Sequence, residues 1–314
     1  MYIGRNLSLA GVAVLPGGVR SIGFWPTGML PQGATLTRST TGTRYDASGA
    51  LEMVAINGAR FDYDPFTLAA RGLLIEPART NQFLQSKDLR TSWTFFAASA
   101  PNATQLIENS ASSNHRAVQT IAYAGGDVVT LSATIWEVTG SAKRYAILYL
   151  ANSTSDLAVF DAATGGFTVN GCTATMTRIG TNDSNPVWRC TMTATVTSTG
   201  SLGSGVRLST SASASSPVIV YQGDGVSGMN ITDLQYEIGA AASSPIPTTT
   251  ATAARAADVL ILSDSALGLG DGDHMIRYRF DDGSAQGVVT TINGGSWTVP
   301  TTLDRRWIRA IERG

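Results

Sequence analysis

Val128-Val-Thr-Leu-Ser-Ala-Thr-Ile-Trp136 decides the fold, together with Tyr145-Ala-Ile-Leu-Tyr-Leu150 and Val218-Ile-Val-Tyr221. Each run is short, β-branched and aromatic, and is bounded by Gly, Asn, Asp and Ser. That pattern reads as strands separated by turns every 8–12 residues or so, as in a β-sandwich. Long amphipathic helical periodicity is almost absent, so an all-β chain is expected. Charged residues make up 14% of the 314 residues, against a usual share of about 25%. Thr, Ser, Gly and Ala take their place, and these suit pleated surfaces and turns better than helices.

The bulk numbers also exclude partners. Net charge is −1 and lysine occurs only at Lys87 and Lys143, so no basic field draws in nucleic acid or anionic lipid. No apolar run reaches the roughly 18 residues a membrane helix needs. Met1 to Leu15 carries one arginine and a short apolar stretch, without a small-residue cleavage site before Pro16. An N-terminal strand or arm is expected there rather than a signal peptide. Cys172 and Cys190 are too few for a disulfide framework and lack metal-cluster spacing. They read as buried thiols, with pairing across a hairpin left open.

Four regions are expected. Residues 1–80, punctuated by Gly and Pro, read as an extended N-terminal arm, with 1–32 as the segment that docks to a larger assembly. Residues 81–242 hold the densest strand pattern. Residues 243–256, Pro- and Thr-rich, read as an extended linker. Residues 257–314 form a small β-unit, with Met275-Ile-Arg-Tyr-Arg-Phe280 and Gln286-Gly-Val-Val-Thr-Thr-Ile292 joined at Asp281-Asp-Gly283, a strong hairpin signal. So small a unit leans on a neighbour or a second copy.

No catalytic constellation emerges. His115 and His274 lie far apart, and the nucleophile, phosphate-loop, dinucleotide and zinc-protease motifs are missing. Asp271-Gly-Asp273 reads as a turn, and nothing supports a structural calcium or another cofactor. Glu137, Asp156, Asp161, Asp224, Asp233 and Glu237 lie in the sandwich region, but sequence pairs none of them across a sugar. The expectation is a protein that is not an enzyme. Sugar binding asks for less: aromatic faces to stack on ring C–H groups, with a few polar partners. Trp136, Tyr145, Tyr149 and Tyr221 are the candidates, with Tyr236 beside them, although alternation sends about half of such residues into the core. Trp188 reads as core.

Arg60-Phe-Asp-Tyr-Asp-Pro65 and Arg71-Gly-Leu-Leu-Ile-Glu-Pro-Ala-Arg-Thr-Asn81, preceded by Leu36-Thr-Arg-Ser-Thr-Thr-Gly-Thr-Arg44, resemble a hallmark of tailed-bacteriophage virion proteins of the tail-fibre, head-fibre and minor-tail type. The chain continues in the order of that family's carbohydrate-binding-like jelly roll. Val159-Phe-Asp-Ala-Ala-Thr-Gly165 is similar to its F-D-x-x-T-G turn, and Pro186-Val-Trp-Arg-Cys190 to its G-W-Y-R strand. Tyr221-Gln-Gly-Asp-Gly225 and Leu234-Gln-Tyr-Glu237 resemble its closing loop and last strand. Pro245-Ile-Pro-Thr248 with Ala254-Arg-Ala-Ala-Asp258 resembles its exit. The likeness covers roughly residues 33–260. It departs at Val187-Trp188-Arg189, where the usual tyrosine after the tryptophan is missing, and at Thr232-Asp-Leu-Gln-Tyr-Glu237, where W-G-A-Q-L-E is usual.

The resemblance implies a jelly-roll sandwich in a virion surface protein: a fibre, spike or tail-tip component, assembled in the bacterial cytoplasm and contributing to attachment to host glycans. Its partners would be other virion proteins, copies of itself (a homotrimer by analogy with fibres) and a surface polysaccharide. A connector or decoration protein that binds only virion proteins is the alternative, and a glycan depolymerase the third. Arg71, Glu76, Arg79 and Asn81 are expected to fix the junction between arm and sandwich, with Glu76 and Arg79 close enough in sequence to pair.

Overall fold

The computed structural model describes residues 12–14, 20–25, 28–150 and 156–314. Regular structure is almost wholly β, with one short 3-10 turn at Asp264–Ala266 among the described residues. The chain forms two compact units, one from residues 1–78 and 255–314 and the other from 79–254.

The second unit is a β-sandwich of two six-stranded antiparallel sheets. One runs, in spatial order, Ala98–Ser99, Gln105–Glu108, Gly228–Ile238, Val128–Glu137, Asn185–Thr195 and Thr173–Asn182. The other runs Gly166–Asn170, Leu157–Asp161, Tyr145–Tyr149, Gly200–Ser209, Arg116–Tyr123 and Thr94–Phe96. Alternate residues point inward, as strand geometry dictates. Leu131, Ala133 and Ile135 meet Ala146, Leu148, Phe160, Val206 and Leu208 in one core. Asp183 and Ser184, both at positive φ, make the two-residue turn between Thr173–Asn182 and Asn185–Thr195. Cys190 stands opposite Met176 in that hairpin, and both cysteines are free thiols. Burial raises the Cys190 thiol well above its ordinary range.

The first unit corrects the expected domain plan. Residues 20–78 are not an extended arm, and 257–314 is not a separate unit. Arg20–Gly23 and Ala70–Leu74 both pair with Trp307–Arg313, and Ala34–Thr37 pairs with Val259–Ser263. Leu36, Phe61, Leu73 and Ile75 from the N-terminal stretch share a core with Leu260, Ile276, Phe280, Trp297 and Ile308. Neither stretch holds enough apolar residues to close a core alone, so each completes the other. The proposed docking segment 1–32 includes Ile22 and Phe24, both fully buried; its residues 1–11, 15–19, 26 and 27 lie outside the described residues.

The expected linker is likewise pinned. Pro and Thr keep residues 243–248 extended, but Ser243, Ser244, Ile246 and Thr248 are buried. Ile246 donates its backbone N–H to Gln235 Oε1 at 2.6 Å, and Thr248 Oγ1 donates to the Phe83 carbonyl at 2.6 Å.

Candidate functional site

The four aromatic candidates do not converge. Core-facing Ile135 puts its neighbour Trp136, half-buried, on the outer surface of the first sheet. Tyr221 lies in a short ladder with Ser112–Ser113. Its hydroxyl donates to Glu108 Oε2 at 2.6 Å and its ring lies 4.6 Å from that of His115. Tyr236 is core, packed edge-on against Phe83 at 5.7 Å. Only Tyr145 and Tyr149 share a face, the outer surface of the second sheet.

Around Tyr221 stands a charged cluster. Arg144 donates from Nε to Glu108 Oε2 at 2.7 Å and from Nη2 to Glu108 Oε1 at 2.5 Å, and it reaches Asp224 at 3.3 Å. The Asp224 backbone N–H also donates to Glu108. Burial works against the Glu108 carboxylate, but Arg144, Tyr221 and the Asp224 amide outweigh it and lower its pKa. Asp224 is lowered as well, chiefly by bonds from Ser227 and Val226 acting against desolvation. The cluster ties the Tyr221 loop to the sheet. An open cleft of about 190 Å³ beside it is lined by Glu137, Thr139, Lys143, Arg144, Asn185 and Gly228.

The outer face of the second sheet is built differently. One cross-strand row contains Ile147, Arg207, Arg116 and Phe96. The next contains Tyr149, Gly205, Val118 and Thr94. Arg207 stacks its guanidinium 4.1 Å from the Tyr149 ring centroid, and Arg116 stacks 4.2 Å from that of Phe96. The Nε atoms of both arginines are buried without an acceptor. Burial, joined by the like charge of Arg116 and opposed in part by Tyr149, lowers the Arg207 pKa. Tyr149 itself is only 4% exposed, buried with Val118, Ile147, Leu157, Val159 and Ala214 in an apolar cluster on this face, so the arginine on its ring lies at the rim of that cluster. Lys143, 5.1 Å from the Tyr145 ring centroid and 2.8 Å from Asp161, occupies the Tyr145 end. Sequence reading found the two tyrosines but not the arginines, because nothing along the chain places Arg116 opposite Arg207.

The junction residues divide between the units. In the first, Glu76 accepts from Arg60 at 2.8 Å, from Arg306 at 2.8 Å and from Arg255. Asp258 accepts from Arg38 at 2.8 Å, from Arg60, and from the Glu76 backbone N–H at 2.9 Å. Burial disfavours the Arg60 cation, but Glu76 and Asp258 outweigh it and raise its pKa. Backbone carbonyls of Thr40, Ala55, Gly58, Thr43 and Pro77 take further guanidinium N–H groups. Arg71 stays nearer the surface, bonded to Asp64 at 2.7 Å and stacked 4.5 Å from the Trp307 ring. In the second unit, the Arg79 guanidinium lies against Gly239, within 2.5 Å of where a Cβ would stand, so only glycine leaves it room. Asn81 Nδ2 donates to the Leu234 and Ile246 carbonyls, and its Oδ1 accepts from the Phe83 and Tyr236 amides.

Arg38, Arg60, Glu76, Arg255 and Asp258 share one network, and Gly165 of the F-D-x-x-T-G turn lies directly under Trp188. No protein-family model and no curated protein matches the sequence.

Proposed function

We propose that the chain is a structural protein of a tailed-bacteriophage virion, a fibre, spike or tail-tip component, whose sandwich is a carbohydrate-binding-type jelly roll that contributes to attachment to host-surface glycans. The observation that carries this reading is the outer face of the second sheet. Two arginines there stand stacked on aromatic rings without a carboxylate partner among the described residues. Unsatisfied, half-buried donors cost stability, and such a cost is concentrated where a ligand completes the site. The sequence resemblance supplies the virion context and the expectation of a homo-oligomer displayed on the particle surface.

The test is adsorption competition. Purified chain should block adsorption of the parent phage to its host, and the block should vanish on cells stripped of surface polysaccharide. Particles that lack the chain by mass spectrometry would end this reading.

One observation favours the connector reading instead. Met275 and Val289 face each other on the hairpin at the edge of the seven-stranded sheet, at 47% and 63% exposure. An apolar pair beside a free edge suits association with another virion subunit. The two roles are compatible, because this surface belongs to the first unit and the arginine face to the second.

A further inference from the structure

We propose that the paired guanidinium groups of Arg116 and Arg207 form the recognition site for a carboxylate-bearing sugar, a uronate residue of an acidic polysaccharide. This rests on the glycan-attachment reading and names the substrate class.

Three features of the face lead there. Arg116 and Arg207 are direct cross-strand partners, so two positive charges stand side by side where an antiparallel ladder ordinarily avoids like pairs. Each guanidinium is stacked on a ring, Tyr149 or Phe96, which fixes its plane, and its buried Nε has no acceptor among the described residues. A planar fork held in this way matches a carboxylate in bidentate geometry, and a compact ammonium does not. Beside the pair, Gly205 and Gly203 interrupt the row of side chains on the outer face of Gly200–Ser209. Gly205 stands opposite Val118 and Gly203 opposite Thr120, and the Val118 side chain packs over Gly203. Phe96, 43% exposed, supplies an apolar edge for a sugar ring.

Many of the other arginines differ: Arg38, Arg60, Arg144, Arg255, Arg279, Arg305 and Arg306 each meet a carboxylate, while Arg20, Arg189 and Arg309 donate to backbone carbonyls. Arg116 and Arg207 meet aromatic rings and each other. An anion delivered from outside would neutralise the pair, and a neutral sugar would leave the repulsion in place.

The experiment uses the full chain with tetragalacturonate as probe and a neutral galactose tetramer of equal length as control, followed by calorimetry at low and physiological salt. The acidic tetramer should bind, and more weakly as salt screens the charges. Arg116→Gln and Arg207→Gln should each weaken binding by about tenfold or more, and Arg207→Lys should weaken it too, because lysine lacks the fork. Unliganded Arg207→Gln should melt at or above the wild-type temperature, showing that the fold is intact and a repulsion has been removed.

Equal binding of both tetramers, or acidic binding unchanged in the Gln variants, overturns the uronate assignment while the attachment reading stands. Preference for a phosphorylated oligosaccharide over the uronate overturns it also. Self-association of the chain that is lost in Arg207→Gln assigns the face to a second copy. Binding of no saccharide at all removes both the assignment and the attachment reading.

Discussion

Arg60 and Asp258, 198 residues apart in the chain, form a fully buried ion pair that joins the N-terminal and C-terminal stretches of the first unit. Asp258 also holds Arg38, and Arg60 also holds Glu76, so the pair is the centre of a chain of alternating charges. Its members come from segments that sequence order separates and the shared core brings together. A buried network of this kind is weak evidence of net stabilisation but strong evidence of specificity, since removing one member strands the others.

Asp258→Asn therefore leaves Arg38 and Arg60 without their shared counter-charge. The expected cost is about 3–5 kcal/mol, the usual price of breaking a buried pair from one side. Urea unfolding of the full chain should show an early transition absent from the wild type, reported by Trp297 and Trp307 of the first unit. A single transition at the wild-type midpoint would contradict this account of the network.

Asn81 uses its whole side-chain amide on four backbone groups and is completely buried. Asn81→Ala leaves those four groups unpaired, with an expected loss of about 4 kcal/mol or more, at about 1–3 kcal/mol per stranded group. Hydrogen exchange should quicken locally at Phe83, Tyr236 and the Ile246 segment. Uniformly faster exchange across the sandwich would instead mark Asn81 as an ordinary packing residue.

The pinning of residues 243–248 shows what the sequence made legible and what it did not. Proline and threonine correctly signalled extended chain there. The partners that bury it, Gln235, Glu237, Ser86 and Asn81, lie up to 165 positions away, and composition carries no trace of them. Strands such as Val128–Glu137 were readable because their β-branched and aromatic runs end in turn residues, a local signal. The interleaving of residues 20–78 with 255–314 was not, because a core shared by two distant stretches leaves each looking short of apolar residues. At the candidate site, Tyr145 and Tyr149 were visible as aromatics in a strand. The neighbours that give the face its chemistry, Arg116 and Arg207, are set by pairing register alone.

Asp233 sits at a bulge in Gly228–Ile238 with φ 49, the left-handed region. It occupies the place of the glycine in the W-G-A-Q-L-E pattern. Asp233→Gly relieves that strain at the cost of a freer unfolded chain and of a half-exposed contact with Lys87 at 3.5 Å. A net gain of about 0.5 kcal/mol is expected, read as a raised melting temperature. A lowered one would show that the Asp233 side chain contributes more than its backbone costs.

Gly165→Ala places a methyl 2.3 Å from Trp188 at a φ of +79. Trp188 donates its indole N–H to the Ala162 carbonyl at 2.8 Å, so the ring has little room to retreat. A loss of about 2 kcal/mol follows from overpacking and strain together. Tryptophan emission should shift to the red as Trp188 is displaced; an unchanged spectrum and midpoint would show that the turn yields freely.

The sandwich should also weaken in acid through Glu108. Its folded pKa is depressed from the usual 4.5, so the stabilisation is fully present above that value and is lost as pH falls through the folded one. Melting temperatures should fall below pH 4.5 in the wild type, and less steeply in Glu108→Gln. Parallel curves for the two proteins would place the acid sensitivity elsewhere.

The central claim is that the arginine-bearing face of the sandwich is an outward, ligand-binding surface of a virion. A cryo-EM reconstruction of the intact particle at side-chain resolution tests it most directly. The account predicts Arg116, Arg207 and Phe96 open to solvent on the outside of the particle. The same three residues sealed against a neighbouring virion protein would contradict it and make the chain a connector.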